Sequence, residues 1–125
     1  MADAKKKILI VEDDLFSLKL STARLSDEGY EVIATPRAAE ALRLAESHNP
    51  QLVIVDLMLQ DGDGFAVIEQ LRVLPGCATT PIVAHTNLEQ ETDREEALRK
   101  GANAYLVKSN VLFQDVVDTI KKLLG

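Results

Sequence analysis

The sequence predicts an α/β domain with five parallel strands in one doubly wound sheet and helices on both faces. Three observations predict it. Short, mainly apolar runs recur five times, at residues 8–11, 31–34, 52–55, 82–85 and 104–107, the second of them weaker because it opens with Glu31. A stretch with helical spacing of apolar residues follows each run. The runs are continuous rather than alternating, as strands buried on both faces are. Alternating strand–helix order argues for a parallel sheet covered on both sides, and right-handed crossovers restrict how it winds.

Taken in order, residues 8–11 (Ile-Leu-Ile-Val) are the first strand and run into Glu12, Asp13 and Asp14. The helix after it shows Phe16, Leu20 and Ala23 at i, i+4 and i+7. Asp14 is placed to cap that helix, and Gly29 stops it. After the second strand, Thr35 and Pro36 read as an N-cap with proline at the first helical position. Ala38, Ala41, Leu42 and Ala45 form the inner face of the second helix, which His48, Asn49 and Pro50 end.

The third strand, Leu52-Val53-Ile54-Val55, runs straight into Asp56, and a loop with Gly62 and Gly64 follows. Phe65, Ile68 and Leu71 face inward from a third helix that stops near Pro75 and Gly76. Pro81 leads the fourth strand, which ends at Thr86 and Asn87. Residues 89–100 form a highly charged helix with Gly101 at its C-cap. The fifth strand ends at Lys108. Phe113, Val116, Val117, Ile120 and Leu124 lie on one stripe of the last helix.

The totals bound the function. A chain of 125 residues, 46% hydrophobic and 27% charged, reads as one globular domain over residues 1–125. Its 20 acidic against 14 basic side chains give a net charge of -6. That weighs against direct nucleic-acid binding, which needs a basic footprint. Cys77 is the single cysteine, so no internal disulfide forms, which suits the cytoplasm. The polar, basic start over residues 1–7 is no signal peptide, and no apolar run approaches the roughly 18 residues of a membrane span.

Polar residues stand at four strand ends: Glu12 and Asp13, Asp56, Thr86 and Lys108. In an open parallel sheet these ends share one edge, where ligands bind. Carboxylates brought together repel and raise one another's pKa, and a divalent cation relieves that. Oxygen-only ligands suit Mg²⁺, which combines a few carboxylates with phosphate and water. A lysine and a hydroxyl suit the remaining phosphoryl oxygens. Phosphoryl transfer needs mainly positioning and charge neutralisation, and an aspartate can be the nucleophile.

On these residues the chain resembles the receiver domain of bacterial two-component response regulators, the single-domain chemotaxis type, from about residue 6 to residue 124. The resemblance rests on residues 8–13, 53–56, Gly64, Thr86, Gly101, Ala102, Tyr105 and Lys108. It implies a flavodoxin-like (βα)5 three-layer sandwich with strand order 2-1-3-4-5. It implies that Asp56 accepts a phosphoryl group from the phosphohistidine of a histidine kinase or phosphotransfer protein. Asp13, Asp56 and the Met58 backbone carbonyl would bind Mg²⁺ directly, and Glu12 would act on it through water. Lys108 would pair with Asp56 or its phosphate. Thr86 would turn inward to the phosphoryl group and Tyr105 would follow it. The switched face would be the fourth helix, fifth strand and fifth helix.

Departures from the family pattern carry expectations of their own. Gln60 stands where proline is usual, and only loop stiffness should change. Asn87 replaces a small residue, either narrowing access to Asp56 or hydrogen-bonding the phosphate. Ser109 replaces a cis proline after Lys108. A cis non-proline bond costs about 3–4 kcal/mol, so a trans bond in an altered loop is expected. Met58 and Leu88, two residues beyond Asp56 and Thr86, are apolar and cannot orient a hydrolytic water, so slow autodephosphorylation is expected.

Other polar residues have plainer readings. Asp61 and Asp63 read as turn residues beside glycines; the spacing of a calcium loop is absent. His85 reads as a packed strand residue and Cys77 as a loop bystander. The expected function is a phosphorylation switch that is no turnover enzyme, a monomer or weak dimer without an output module, signalling by protein contact. The alternatives are a pseudo-receiver that never takes phosphate, and an aspartyl-nucleophile hydrolase. The hydrolase needs an aspartate two residues after the nucleophile, where Met58 stands.

Overall fold

The computed structural model describes residues 4–125, so the first three of the seven residues read above as a polar start lie outside it. Five strands, β1 (Lys7–Val11), β2 (Glu31–Thr35), β3 (Leu52–Val55), β4 (Ile82–Thr86) and β5 (Ala104–Val107), pair in parallel in the order β2-β1-β3-β4-β5. Four helices connect them, α1 (Leu15–Asp27), α2 (Ala38–His48), α3 (Gly64–Val73) and α4 (Glu91–Lys100), and α5 (Phe113–Leu124) follows β5. A two-residue ladder, Met58–Leu59 against Gly62–Asp63, folds the loop after β3 into a small antiparallel hairpin.

The strand period of two divides the core. Ile8, Ile10, Leu52, Ile54 and Val83 face Leu18 and Leu25 of α1 and Val116, Val117 and Ile120 of α5. Leu9, Val11, Val53, Val55 and Ile82 face Ala41 and Ala45 of α2, Ile68 and Leu71 of α3, and Ala97 of α4. Continuous apolar runs are thus required, because both strand faces are covered. Among the described residues no helix is long and apolar enough to cross a membrane.

Several local expectations are corrected. The α1 stripe of Phe16, Leu20 and Ala23 points to solvent, with Phe16 71% exposed and Leu20 53%. Leu18 and Leu25, seven residues apart, meet the sheet instead, so helical spacing did not distinguish the two apolar faces. Thr35 is the last residue of β2, paired with Val11, and α2 begins three residues later. α4 likewise begins at Glu91 rather than residue 89. Cys77 is no bystander: it is buried in the core at the end of a short 3₁₀ turn, Pro75–Cys77.

A second network lies at the opposite edge of the sheet. The Arg72 guanidinium donates to the carbonyls of Cys77, Thr80 and Gly101 and to Asn103 Oδ1, at 2.6–3.1 Å. Asn103 Oδ1 also accepts the Ile82 N–H at 2.9 Å. One side chain of α3 therefore ties down the start of β4 and the C-terminal end of α4. The planar fork of arginine suits such divergent acceptors.

Candidate functional site

Strand register builds the site. Val11 and Val55 are partners in the β1–β3 pairing, and the bonds continue one step: Asp56 N donates to Val11 O at 2.9 Å and Glu12 N to Thr35 O at 3.0 Å. Both carboxylates therefore emerge side by side from the sheet edge. On the other side Lys108 N donates to Thr86 O at 2.7 Å, continuing the β4–β5 pairing. An open groove of about 800 Å³ runs over these ends, lined by Glu12, Asp13, Asp56, Met58, Asn87 and Lys108 among others.

Glu12, Asp56 and Thr86 are buried, at 5%, 7% and 0% exposure. Buried charge needs partners. Lys108 Nζ supplies them, 2.9 Å from Asp56 Oδ2 and bonded also to Glu12 Oε1. Met58 N donates to the other Asp56 oxygen at 3.0 Å. Asp13, half-buried, accepts the Gln60 N–H at 2.7 Å.

The charges are held unevenly. Burial pushes the Glu12 carboxyl up to about 7, and the negative charge of Asp56 adds to this against the pull of Lys108. Burial also raises Asp56, but the Lys108 and Met58 donors and the Thr86 hydroxyl outweigh it, and its pKa is lowered. Lys108 is raised, because its bonds to both carboxylates exceed the cost of burying it. Asp56 is thus the ionised member of the pair and Glu12 the one that protonates first.

Glu12, Asp13 and Asp56 each offer an oxygen, and these atoms lie within 4.8 Å of one another. Three hard oxygen donors, one with its pKa raised beside another carboxylate, fit a divalent cation of the Mg²⁺ type. Thr86 Oγ1 also accepts the Leu88 N–H at 3.4 Å. The Tyr105 ring packs against the core and its hydroxyl donates to Leu88 O at 2.8 Å. Glu12, Asp13, Asp56, Met58 and Lys108 thus line one groove, while Thr86 lies buried at the end of β4 and Tyr105 reaches the loop after β4 through its bond to Leu88.

At the departures, no peptide bond among the described residues is cis, so the Lys108–Ser109 bond is trans as expected. The Ser109 hydroxyl donates to Glu89 Oε1 at 3.0 Å, linking the loops after β5 and β4. Asp14 caps α1 through the Ser17 N–H at 3.2 Å, and Asp63 caps α3 through Phe65 N at 2.8 Å. Asp61 is more than a turn residue: its carboxylate accepts the N–H groups of Ala38 and Ala39. His85 packs edge-on to Phe113, and burial together with the nearby Lys108 charge holds its pKa down at about 4. Sequence reasoning missed the bonds of Gln60 and Arg72. The Gln60 bond uses a main-chain donor and the Arg72 bonds go chiefly to main-chain acceptors, which carry no residue signature.

Comparison with known proteins places this geometry in context. The family model described as the response regulator receiver domain matches residues 8–121. The polar-differentiation response regulator DivK of Brucella ovis is 32% identical over 120 residues, covering 96% of this chain and 97% of DivK. A CheY-like response regulator receiver domain protein from Methanospirillum hungatei superposes with a TM-score of 0.90 at 30% identity, covering 97% and 94% of the two chains. The receiver domain of the sensor histidine kinase PA1611 from Pseudomonas aeruginosa superposes with a TM-score of 0.88 at 28% identity, covering 98% and 99%. Its structure holds a magnesium ion coordinated in the active-site cleft.

Proposed function

This chain belongs to the response regulator receiver domain family, and from that membership we propose that it is a phosphorylation switch whose phosphoacceptor is Asp56. The observation that carries the reading is the ionised Asp56 carboxylate, held by Lys108 at 2.9 Å beside two further carboxylates at the mouth of an open groove.

An Asp56 oxygen attacks phosphorus of a phosphohistidine on a histidine kinase or phosphotransfer protein. The P–N bond breaks, its electron pair returns to the imidazole, and Asp56 becomes an acyl phosphate. Glu12, Asp13, Asp56 and the Met58 carbonyl are the residues that would hold Mg²⁺. Bound there, the cation would neutralise charge on the transferring phosphoryl group. Lys108 then exchanges its carboxylate contact for a phosphoryl oxygen. The Thr86 hydroxyl donates to another, and its movement is passed through Leu88 to Tyr105 and the α4–β5–α5 face, which meets the downstream protein. Met58, 56% exposed on the groove rim, gives the donor protein apolar contact beside Asp56. The domain acts in the cytoplasm as a switch rather than a turnover enzyme.

The test is intact mass after incubation with acetyl phosphate and Mg²⁺, alongside Asp56→Asn. The expected result is one added phosphoryl group in wild type and none in the variant. No gain together with no Mg²⁺ binding overturns the reading in favour of an interaction module that never takes phosphate.

A further inference from the structure

Gln60 occupies the first position of the two-residue turn that joins Met58–Leu59 to Gly62–Asp63. Its side chain is exposed, but its backbone N–H points at the site and donates to Asp13 Oδ2 at 2.7 Å. Asp13 is the one member of the three-carboxylate group that Lys108 does not hold; that cation bonds Glu12 and Asp56 only. Without the Gln60 N–H the carboxylate at the rim would be free to rotate into solvent.

We propose that Gln60 is a positioning residue for the cation site: its N–H fixes one oxygen of Asp13 so that the other is presented to the metal. The inference rests on the reading of Glu12, Asp13 and Asp56 as the Mg²⁺ ligands and adds what orients one of them. Donors behind a ligating carboxylate set its direction, and their loss typically costs 10–100-fold in metal affinity. The position where the family resemblance expects proline carries, in this chain, a donor that proline lacks.

The relation runs both ways. If the bond favours the cation, the cation favours the bond by the same factor. The loop is further anchored at Met58 N by Asp56 and at Asp61 by the start of α2, so cation binding tightens the hairpin that carries Met58 past the phosphoacceptor.

Two substitutions separate backbone from side chain. Gln60→Ala keeps the N–H, whereas Gln60→Pro removes it. The proline is accommodated, because Leu59 is extended and the first position of a common turn favours proline, and Gln60 has no positive φ. Mg²⁺ affinity is read by titration calorimetry and folding by the urea midpoint. The expected result is about tenfold weaker binding in Gln60→Pro, wild-type affinity in Gln60→Ala, and unchanged midpoints. Amide exchange gives a second readout that needs no variant: the Gln60 amide of wild type exchanges more slowly with Mg²⁺ present. Equal affinity in all three proteins, equal weakening in both variants, or exchange at Gln60 indifferent to Mg²⁺ overturns the proposal while leaving the metal site standing. Absence of Mg²⁺ binding in wild type overturns both.

Discussion

Asp61 caps helix α2 from outside that helix: its two carboxylate oxygens accept the N–H groups of Ala38 and Ala39 at 2.8 and 3.2 Å. Arg37, at the local N-cap position, makes no side-chain cap bond. The donors at the helix start need an acceptor, and the residue that supplies it lies 23 positions on, in the hairpin beside Asp56. Gly62 fits against Ala38 at the same place, where a Cβ would come within 2.9 Å of the Ala38 Cβ.

Asp61→Ala should therefore lower stability, as removal of a helix cap does. The expected signature is a lowered urea midpoint together with faster amide exchange at Ala38 and Ala39. Loss of stability without a change at those two amides would place the effect elsewhere.

The lifetime of the acyl phosphate should be long, because Met58 and Leu88 give a hydrolytic water no hydrogen-bond partner. Met58 stands exposed on the groove rim, and Leu88 is half-buried with its carbonyl occupied by Tyr105. The double variant Met58→Asn, Leu88→Glu should shorten the phosphate half-life about tenfold, a modest share of what a positioned acid or base supplies. Loss of label from phosphorylated protein with time measures it, and a wild type no slower than the variant refutes the idea.

His85 and Glu12 give stability opposite pH slopes. The pKa of His85 falls from 6.5 to about 4 on folding, so between these values the unfolded chain binds the extra proton. Its contribution is present above pH 6.5 and is lost as pH falls towards 4. Glu12 rises from 4.5 to about 7, so the folded chain binds the extra proton, and that contribution is lost as pH rises through 7. In wild type the two partly cancel. His85→Gln removes the first, so its stability relative to wild type should change by about 1–2 kcal/mol across the window, allowing for partial exposure. Urea midpoints of both proteins at several pH values between 4.5 and 6.5 measure it; parallel curves would show that His85 carries no proton linkage.

Much of this molecule was legible in the linear chain. Five short runs, three of them wholly apolar over four residues and the others broken by Glu31 or His85, read as strands, and their polar ends had to share an edge once the sheet was parallel. That alone brings Glu12, Asp13, Asp56, Thr86 and Lys108 together. Which apolar face of α1 packs was not legible, since Phe16–Leu20 and Leu18–Leu25 both keep helical spacing and only the sheet selects between them. The start of α2 was misplaced for a similar reason, because strand pairing with Val11 claimed Thr35. Side-chain chemistry and periodicity are properties of residue type, so the sequence by itself determined the strands, the sheet class and the reactive groups. The bonds of Gln60 N–H to Asp13, of Asp61 to α2 and of Arg72 to its carbonyl acceptors were decided only by the tertiary structure, because every one of them uses a main-chain donor or acceptor. Those groups are nearly identical in all residues, and which of them meet depends on where the folded chain puts them.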